Sequence, residues 1–153
     1  MDFVVVESPF AASVLTLQHW GPEPGTNVAG TEVTKALTVG GNIRYARACL
    51  HDCLVRHQEA PYASHLLYTQ EGILDDEVPS ERDLGIRAGL EIGRAAKRRL
   101  FYVDRGFSGG MRWGLKFALE IEQPYEVRRL GGEWDLGWEP DFDLETVVAQ
   151  LRV

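Results

Sequence analysis

The chain has 153 residues, of which 44% are hydrophobic and 25% charged, so we expect one folded globular domain and not a disordered chain. The formal net charge of −7 disfavours contact with a phosphate backbone, so no nucleic-acid partner is expected, although a local field could still hold a small phosphorylated ligand. The chain has two cysteines four residues apart, which is not the pattern of a disulfide scaffold. It has no long apolar run and no signal-peptide pattern, so we expect no membrane partner and a cytoplasmic protein.

The first half of the chain predicts two strands and one helix. The apolar, β-branched run Phe3–Val6 indicates a strand that is buried on both faces. A long loop or insertion of little regular structure is expected over about 11–41. A helix follows over 42–57 with Asn42 as its N-cap, and a second strand is predicted over 61–67.

A second helix is predicted from a capping-box sequence at 80–83 to about Ala96. The residues expected to face the core are Leu84, Ala88, Ile92 and Ala95. The basic residues 97–99 suit the C-terminal end of a helix dipole.

The remaining elements alternate in the same way. A third buried strand at 100–103 ends in a glycine-rich turn, and a fourth strand is predicted at 125–130. Between them lies a helix whose apolar face comprises Met111, Leu115, Ala118 and Leu119. An irregular tail over 131–153 holds Trp134 and Trp138 and ends in a short helix capped by Asp143.

This order predicts an α/β fold, a Rossmann-like (flavodoxin-like) three-layer sandwich with a parallel sheet of four to five strands. Ligands of such sheets bind beyond the carboxyl ends of the strands. The topology therefore brings Ser8, Ser64 and His65 close to residues 104–111. His65 is then a candidate acid, base or ligand-orienting donor, although a hydrogen-bonded structural histidine is the commoner case.

Two glycine-containing segments could bind an anion. The turn at 104–110 opens a helix, where free N–H groups, the helix dipole and the Ser108 hydroxyl suit a phosphate, but a tight turn needs glycine equally. The segment 40–44 has two glycines before Asn42, with Arg44 to supply charge, and is either a second anion cradle or a hinge.

Two other groups of residues favour structural roles. Cys49, Cys53 and His57 have the spacing of zinc ligands on one helix face, but small buried cysteines are common core residues, and neither metal nor cofactor is expected. Trp134 and Trp138 could stack on a base or form an oligomer contact, and packing of the tail over the sheet is the favoured interpretation.

Several segments resemble the nucleoside 2-deoxyribosyltransferase superfamily. The opening Val4–Phe10 is similar to the first strand and loop of that superfamily. Residues 41–44 are similar to the Ser-Ile-Arg segment of the related deoxynucleoside 5′-monophosphate N-glycosidases. Residues 104–118 are similar to the glycine- and serine-rich turn and helix of those enzymes. Residues 43–130 resemble more closely phage-associated members of unassigned function. That likeness is carried by residues 45–49, 59–70 and 108–114.

The resemblance implies a glutamate nucleophile two residues before a helix glycine. Gly114 is the equivalent glycine, so the expected position holds Arg112, which cannot attack an anomeric carbon. The similar string at 91–95 precedes the third strand and is interpreted as a coincidence. Either Asp104 or Glu7 supplies the carboxylate, or the domain has kept binding without chemistry, or its substrate differs from a plain deoxynucleotide.

The resemblance thus implies a small-molecule nucleoside or nucleotide ligand, cleavage or transfer at its N-glycosidic bond, and a homo-oligomer. A catalytically inactive nucleotide-binding module is the alternative, in which Arg112 pairs with phosphate; an interaction protein using the tryptophans and the long loop is a third. Asp104 and Glu7 are the candidate catalytic residues. The expected substrate-binding residues are Ser8, Pro9, Phe10, Asn42, Arg44, Tyr45, Ser64, His65, Ser108, Gly109, Gly110, Met111 and Arg112.

Overall fold

The computed structural model describes residues 1–10, 32–134 and 144–152. Their regular elements alternate between strands and helices along the chain. In order they are β1 (Phe3–Glu7), α1 (Glu32–Val55), β2 (Ala60–Tyr62), α2 (Ser64–Leu67), α3 (Pro79–Gly93), β3 (Arg98–Tyr102), α4 (Gly109–Glu120), β4 (Tyr125–Arg128), a 3-10 turn (Gly132–Trp134) and α5 (Leu144–Leu151).

The four strands form one all-parallel sheet in the order β2-β1-β3-β4. In its register Val4 lies opposite Pro61 on one side and Arg98 on the other. This order, with helices as the crossovers, is that of a flavodoxin-like doubly wound sheet. The predicted α/β, Rossmann-like fold class is therefore confirmed.

The sheet separates two apolar cores, because alternate residues of each strand point to opposite faces. On one face, α1 packs against β1 and β3 through Val4, Val6, Tyr45, Cys49, Cys53, Leu100 and Tyr102. On the other face, α4 and α5 cover β3 through Phe101, Val103, Met111, Leu115 and Val147. The apolar face predicted for the helix after the glycine turn is the one that α4 buries.

Helix α1 begins ten residues earlier than the sequence indicated. The predicted loop over 11–41 is wrong for residues 32–41, which are helical, and its remainder, 11–31, lies outside the described residues. Asn42 is consequently an interior helix residue, and its prediction as an N-cap is wrong. Two adjacent glycines argued for a break, but both lie within the helix, and Gly41 allows the Arg105 guanidinium to approach the helix backbone closely.

The predicted second strand is also shorter than expected. Only Ala60–Tyr62 pair with β1, and residues 64–67 form the one-turn helix α2. An apolar run of this length indicates burial without distinguishing a strand from a helix.

Helix α3 differs from its prediction at both its start and its buried face. Its N-cap is Val78 with Pro79 in the first turn, and no side chain caps it, so the capping box is wrong. The predicted inward stripe is wrong too, because Leu84 and Ile92 are 50% and 44% exposed. The face turned to the protein instead contains Gly85, Gly89 and Gly93.

Close contacts explain why glycines form that face. A Cβ at Gly89 would lie 2.6 Å from Cβ of Ser64, and one at Gly93 would lie 2.6 Å from Nη2 of Arg99. Arg99 itself was predicted at a helix end, but the helix stops at Gly93 and Arg99 lies buried in β3.

The last part of the chain follows the prediction where it is described. Strand β4 and helix α5 lie where the pattern placed a strand and a short helix. Trp138 and Asp143 lie outside the described residues. Within the described ranges, we find no helix with both the length and the apolar character that a membrane crossing requires.

Candidate functional site

A cavity of about 220 Å³ opens beyond the carboxyl end of β1, between α2, α3 and α4. This is the edge at which the topology predicted a ligand site. The predicted site residues that it brings together are Glu7, Ser8, Phe10, Ser64, His65, Ser108, Gly109 and Gly110.

The carboxyl group of Glu7 lies at the inner end of this cavity. Nη1 of Arg99 donates to Oε1 of Glu7 at 2.5 Å, and the Glu7 side chain is 15% exposed. Burial raises the pKa of the Glu7 carboxyl, while Arg99 acts in the opposite direction. The carboxyl also packs on the backbone of α4, since a Cβ at Gly114 would lie 2.8 Å from Cδ of Glu7. Glu7 therefore occupies the space that a side chain at Gly114 would fill.

Ser8 and His65 form a hydrogen-bonded pair on the cavity wall. Oγ of Ser8 and Nε2 of His65 are 2.8 Å apart, and the imidazole tautomer decides which atom donates. Burial lowers the pKa of His65 to about 4, so the imidazole is neutral at neutral pH. The Phe10 ring meets it edge-on, with centroids 6.5 Å apart. The pair therefore gives the cavity an uncharged polar wall that can both donate and accept hydrogen bonds.

The first turn of α4 forms another wall. Ser108 is the N-cap, and its hydroxyl accepts a hydrogen bond from the backbone N–H of Met111 at 3.3 Å. Gly109 and Gly110 also line the cavity. Their N–H groups lie in the first turn, where a helix offers no internal acceptor. With the helix dipole, this turn suits a phosphate or a partly negative oxygen.

The rest of the lining was not found by sequence reasoning. It comes mainly from α3 and the loop before it, and includes Asp76, Glu81, Arg82, Ile86 and Leu90, together with Arg99 and Trp113. The regular spacing of glycines along α3 was the available signal, because glycines four residues apart mark a helix face that other groups approach closely.

Asp104 has a different environment from the one expected. It is buried, and its carboxylate accepts hydrogen bonds from the Tyr45 hydroxyl at 2.5 Å and from the N–H groups of Leu130 and Gly131, each at 2.8 Å. These bonds tie the end of β3 to α1 and to the chain after β4. Within the described residues, neither Asp104 nor Tyr45 lines the cavity.

The other predicted binding residues also lie away from the cavity lining. Asn42 is buried, donating to the Phe10 carbonyl at 2.9 Å and accepting from Nε of Arg105 at 2.7 Å. Pro9 and Met111 are buried, whereas Arg44 and Arg112 are exposed.

The anion cradle predicted over 40–44 is wrong, because the segment lies inside α1. Its N–H groups are positioned to bond within the helix, and a Cβ at Gly41 would lie 2.7 Å from Arg105 Nη2.

The cysteines of α1 belong to the core. Cys49 and Cys53 are free thiols against the sheet, and burial raises the pKa of both. Among the residues that the structure describes, no three His, Cys, Asp or Glu side chains are grouped as metal ligands. Trp134 packs on the Tyr45 ring at 5.4 Å, which agrees with the packing interpretation for this tryptophan.

Comparison with known families places the larger part of this architecture in one family. Residues 28–128 match the family model described as a domain of unknown function (DUF7768). No curated protein and no solved structure matches the chain. The matched range, about two thirds of the chain, holds the cavity residues of α2, α3, β3 and α4, while Glu7, Ser8 and Phe10 precede it. The chain therefore belongs to the DUF7768 family.

Proposed function

We propose that the cavity binds a nucleoside or nucleotide, and that the protein cleaves or transfers at the N-glycosidic bond with Glu7 as the reacting carboxylate. The observation that carries this proposal is the placement of the Glu7 carboxyl against Gly114 of α4. In the enzymes that the sequence resembles, the glutamate belongs to that helix, two residues before the glycine. Here β1 brings a carboxylate to the same helix.

The chemistry follows from a carboxylate next to an anomeric carbon. Glu7 attacks that carbon through an oxocarbenium-like transition state, the C–N bond breaks, and the base leaves with the electron pair and takes a proton from water. Water or a second base then attacks the anomeric carbon of the glycosyl ester, the C–O bond to Glu7 breaks, and the proton that the nucleophile loses neutralises the hydroxide left by the first step. Water gives hydrolysis, and a second base gives transfer.

The remaining lining supports binding of the other parts of such a ligand. The Ser8–His65 pair suits sugar hydroxyls, because both groups exchange hydrogen bonds without charge. The first turn of α4 suits a phosphate or a sugar oxygen. Phe10 and Trp113 provide aromatic surface for a base.

Asp104 is the less suitable of the two candidate carboxylates, since its oxygens already accept three hydrogen bonds in the core. We therefore assign it to holding the chain after β4. The alternative function, a module that binds a nucleotide and leaves it unchanged, is favoured by one observation. Oε1 of Glu7 is engaged by Arg99, an arrangement that could serve structure alone.

The test is a base-release assay read by liquid chromatography, with ribo- and deoxynucleosides and their 5′-monophosphates. We expect release from at least one substrate, and loss of that release in Glu7→Gln. The matched control is Glu120→Gln, which makes the same change at an exposed residue of α4 outside the cavity lining and should keep the activity.

Three results would contradict parts of this proposal. Undiminished release by Glu7→Gln would exclude Glu7 as the reacting group. Tight binding with full recovery of unchanged ligand would establish the binding module instead. Failure to bind any member of the panel would refute both functions and favour a protein-interaction role.

A further inference from the structure

We infer that Arg99, held by Gln123, is a positioning residue that engages one oxygen of Glu7 and leaves the other for the ligand. The catalytic meaning of this inference rests on the function proposed above. The arrangement of the three side chains itself does not.

The guanidinium of Arg99 is fixed on several sides. Its side chain is 1% exposed, Nε donates to Oε1 of Gln123 at 3.1 Å, and Nη1 donates to Oε1 of Glu7. The group also lies 5.5 Å from the centre of the Phe117 ring, and it approaches Gly93 so closely that a Cβ there would lie 2.6 Å from Nη2. Both its position and its plane are therefore determined by the fold.

Gln123 is anchored in turn by the end of α3. Its Nε2 donates to the carbonyl of Gly93 at 2.8 Å and to that of Ala96 at 2.9 Å. These two carbonyls lie at the last residue of α3 and just beyond it, where the helix provides few N–H donors; the Gly93 carbonyl also accepts from the N–H of Ala96 at 3.1 Å. A continuous chain of hydrogen bonds thus runs from the end of α3 through Gln123 and Arg99 to Glu7.

The contact between Arg99 and Glu7 uses one oxygen only. An arginine and a carboxylate commonly pair through two parallel hydrogen bonds. Here Nη2 of Arg99 is buried without a hydrogen-bond partner among the described residues, and the hydrogen bond that Arg99 makes to the Glu7 carboxyl goes to Oε1. Leaving a buried donor unpaired is unfavourable, so the attraction between Arg99 and Glu7 alone would not favour this one-oxygen geometry. We infer that the groups packed around Arg99 impose it. Oε2 is the oxygen left available to a bound ligand.

The same contact controls the charge of Glu7. Burial raises the pKa of Glu7 and Arg99 opposes that rise, so removing the cation should let the effect of burial act alone. Besides Glu7 and Arg99, the ionisable groups along the described cavity are His65 of α2, Tyr68 directly after it, Asp76 before α3, and Glu81 and Arg82 of α3; α4 contributes none. Each of these remains in the variants below.

The experiment follows the Glu7 carboxyl directly by NMR, with ¹³C-labelled glutamate and the signal assigned by its loss in Glu7→Gln. Removing the charge in Arg99→Met should raise the titration midpoint of Glu7 by about 1 to 3 pH units, a 10- to 1000-fold gain in proton affinity. Arg99→Lys keeps a charge without the planar donor set, and should give a smaller rise. It also provides the test if Arg99→Met fails to fold.

The matched control is Arg94→Met. Arg94 lies over the same Phe117 ring at 5.0 Å and has no contact with Glu7, so this variant should leave the midpoint unchanged. A second readout is the pH profile of base release, whose acidic limb should move with the NMR midpoint. A structural role for Arg99 alone would lower the amount of folded protein without moving that limb.

The possible results separate this inference from the proposed function. A Glu7 midpoint that stays the same in both Arg99 variants would overturn the inference, even if the protein releases base. A shifted midpoint in a protein that never releases base would uphold the positioning role and count against the glycosidic chemistry.

Discussion

The buried imidazole of His65 should make the stability of this fold depend on pH. Burial lowers the pKa of His65 to about 4 in the folded protein, from an ordinary value of 6.5. Between these values the unfolded chain binds a proton that the folded protein does not. The stability is therefore complete above about pH 6.5 and falls as the pH drops towards 4.

The size of this loss follows from the pKa difference. Each pH unit within the window lowers the free energy of unfolding by about 1.4 kcal/mol, which gives about 3 kcal/mol in all. This is an upper limit, because the side chain is partly exposed. It is nonetheless a large part of the roughly 5–15 kcal/mol that stabilises a typical domain. Asp76 and Glu81 line the same cavity, and an ion pair of either with His65 would raise the pKa of the imidazole and reduce this loss of stability. Burial is the cause of the His65 shift, so this upper limit includes no such compensation.

The assay is urea unfolding at several pH values from 7.5 to 4.5, for the wild type and His65→Gln. The variant keeps a hydrogen-bonding group near Ser8 but cannot titrate, so all other ionisable groups affect both proteins alike. We expect the wild type to lose stability faster than the variant as the pH falls below 6.5. Parallel curves would refute the reasoning, because they would mean that His65 has the same pKa in both states.

Four further substitutions test the assigned roles. Gly114→Ala places a Cβ against Glu7, and should cost about 1–3 kcal/mol of stability by thermal unfolding and displace the carboxylate, with loss of base release. Asp104→Asn should cost about 1–3 kcal/mol in urea unfolding, because an amide cannot accept all three hydrogen bonds. Ser108→Ala removes the cap of α4 and should cost about 1 kcal/mol in the same assay. Arg112→Glu restores the expected glutamate at an exposed position, and should add no base release, since that side chain is outside the cavity.

The fold could be predicted because its central strands carry a signal that depends little on context. The uninterrupted apolar runs of β1 and β3 suit strands that are buried on both faces, and the helical stripe of α4 suits one buried face. Once the strands are parallel, topology alone brings Ser8, His65 and Ser108 to one edge. That part of the candidate site needed no knowledge of side-chain contacts.

The contribution of β3 to the site could not be read in the same way. A basic run after a helix pattern favours a helix end, and nothing local indicates that Arg99 is buried. Its burial depends on pairing with Glu7, which is 92 residues away in the chain, and on the amide of Gln123. Pairs formed at such separations are properties of the folded chain and leave no periodic trace in the sequence.

The wrong prediction for α3 is informative about the site itself. Amphipathic helices normally bury their large apolar residues, yet Leu84 and Ile92 are exposed and the glycine face points inward. Burying Leu84 and Ile92 would have added apolar stabilisation, so the observed orientation gives up that gain. The observed orientation instead brings the backbone of α3 into contact with Ser64 and Arg99, and it leaves the cavity between α3 and α4. Sequences break such a local rule most often where a functional site requires it, and the orientation of α3 is therefore independent support for a ligand site at this edge of the sheet.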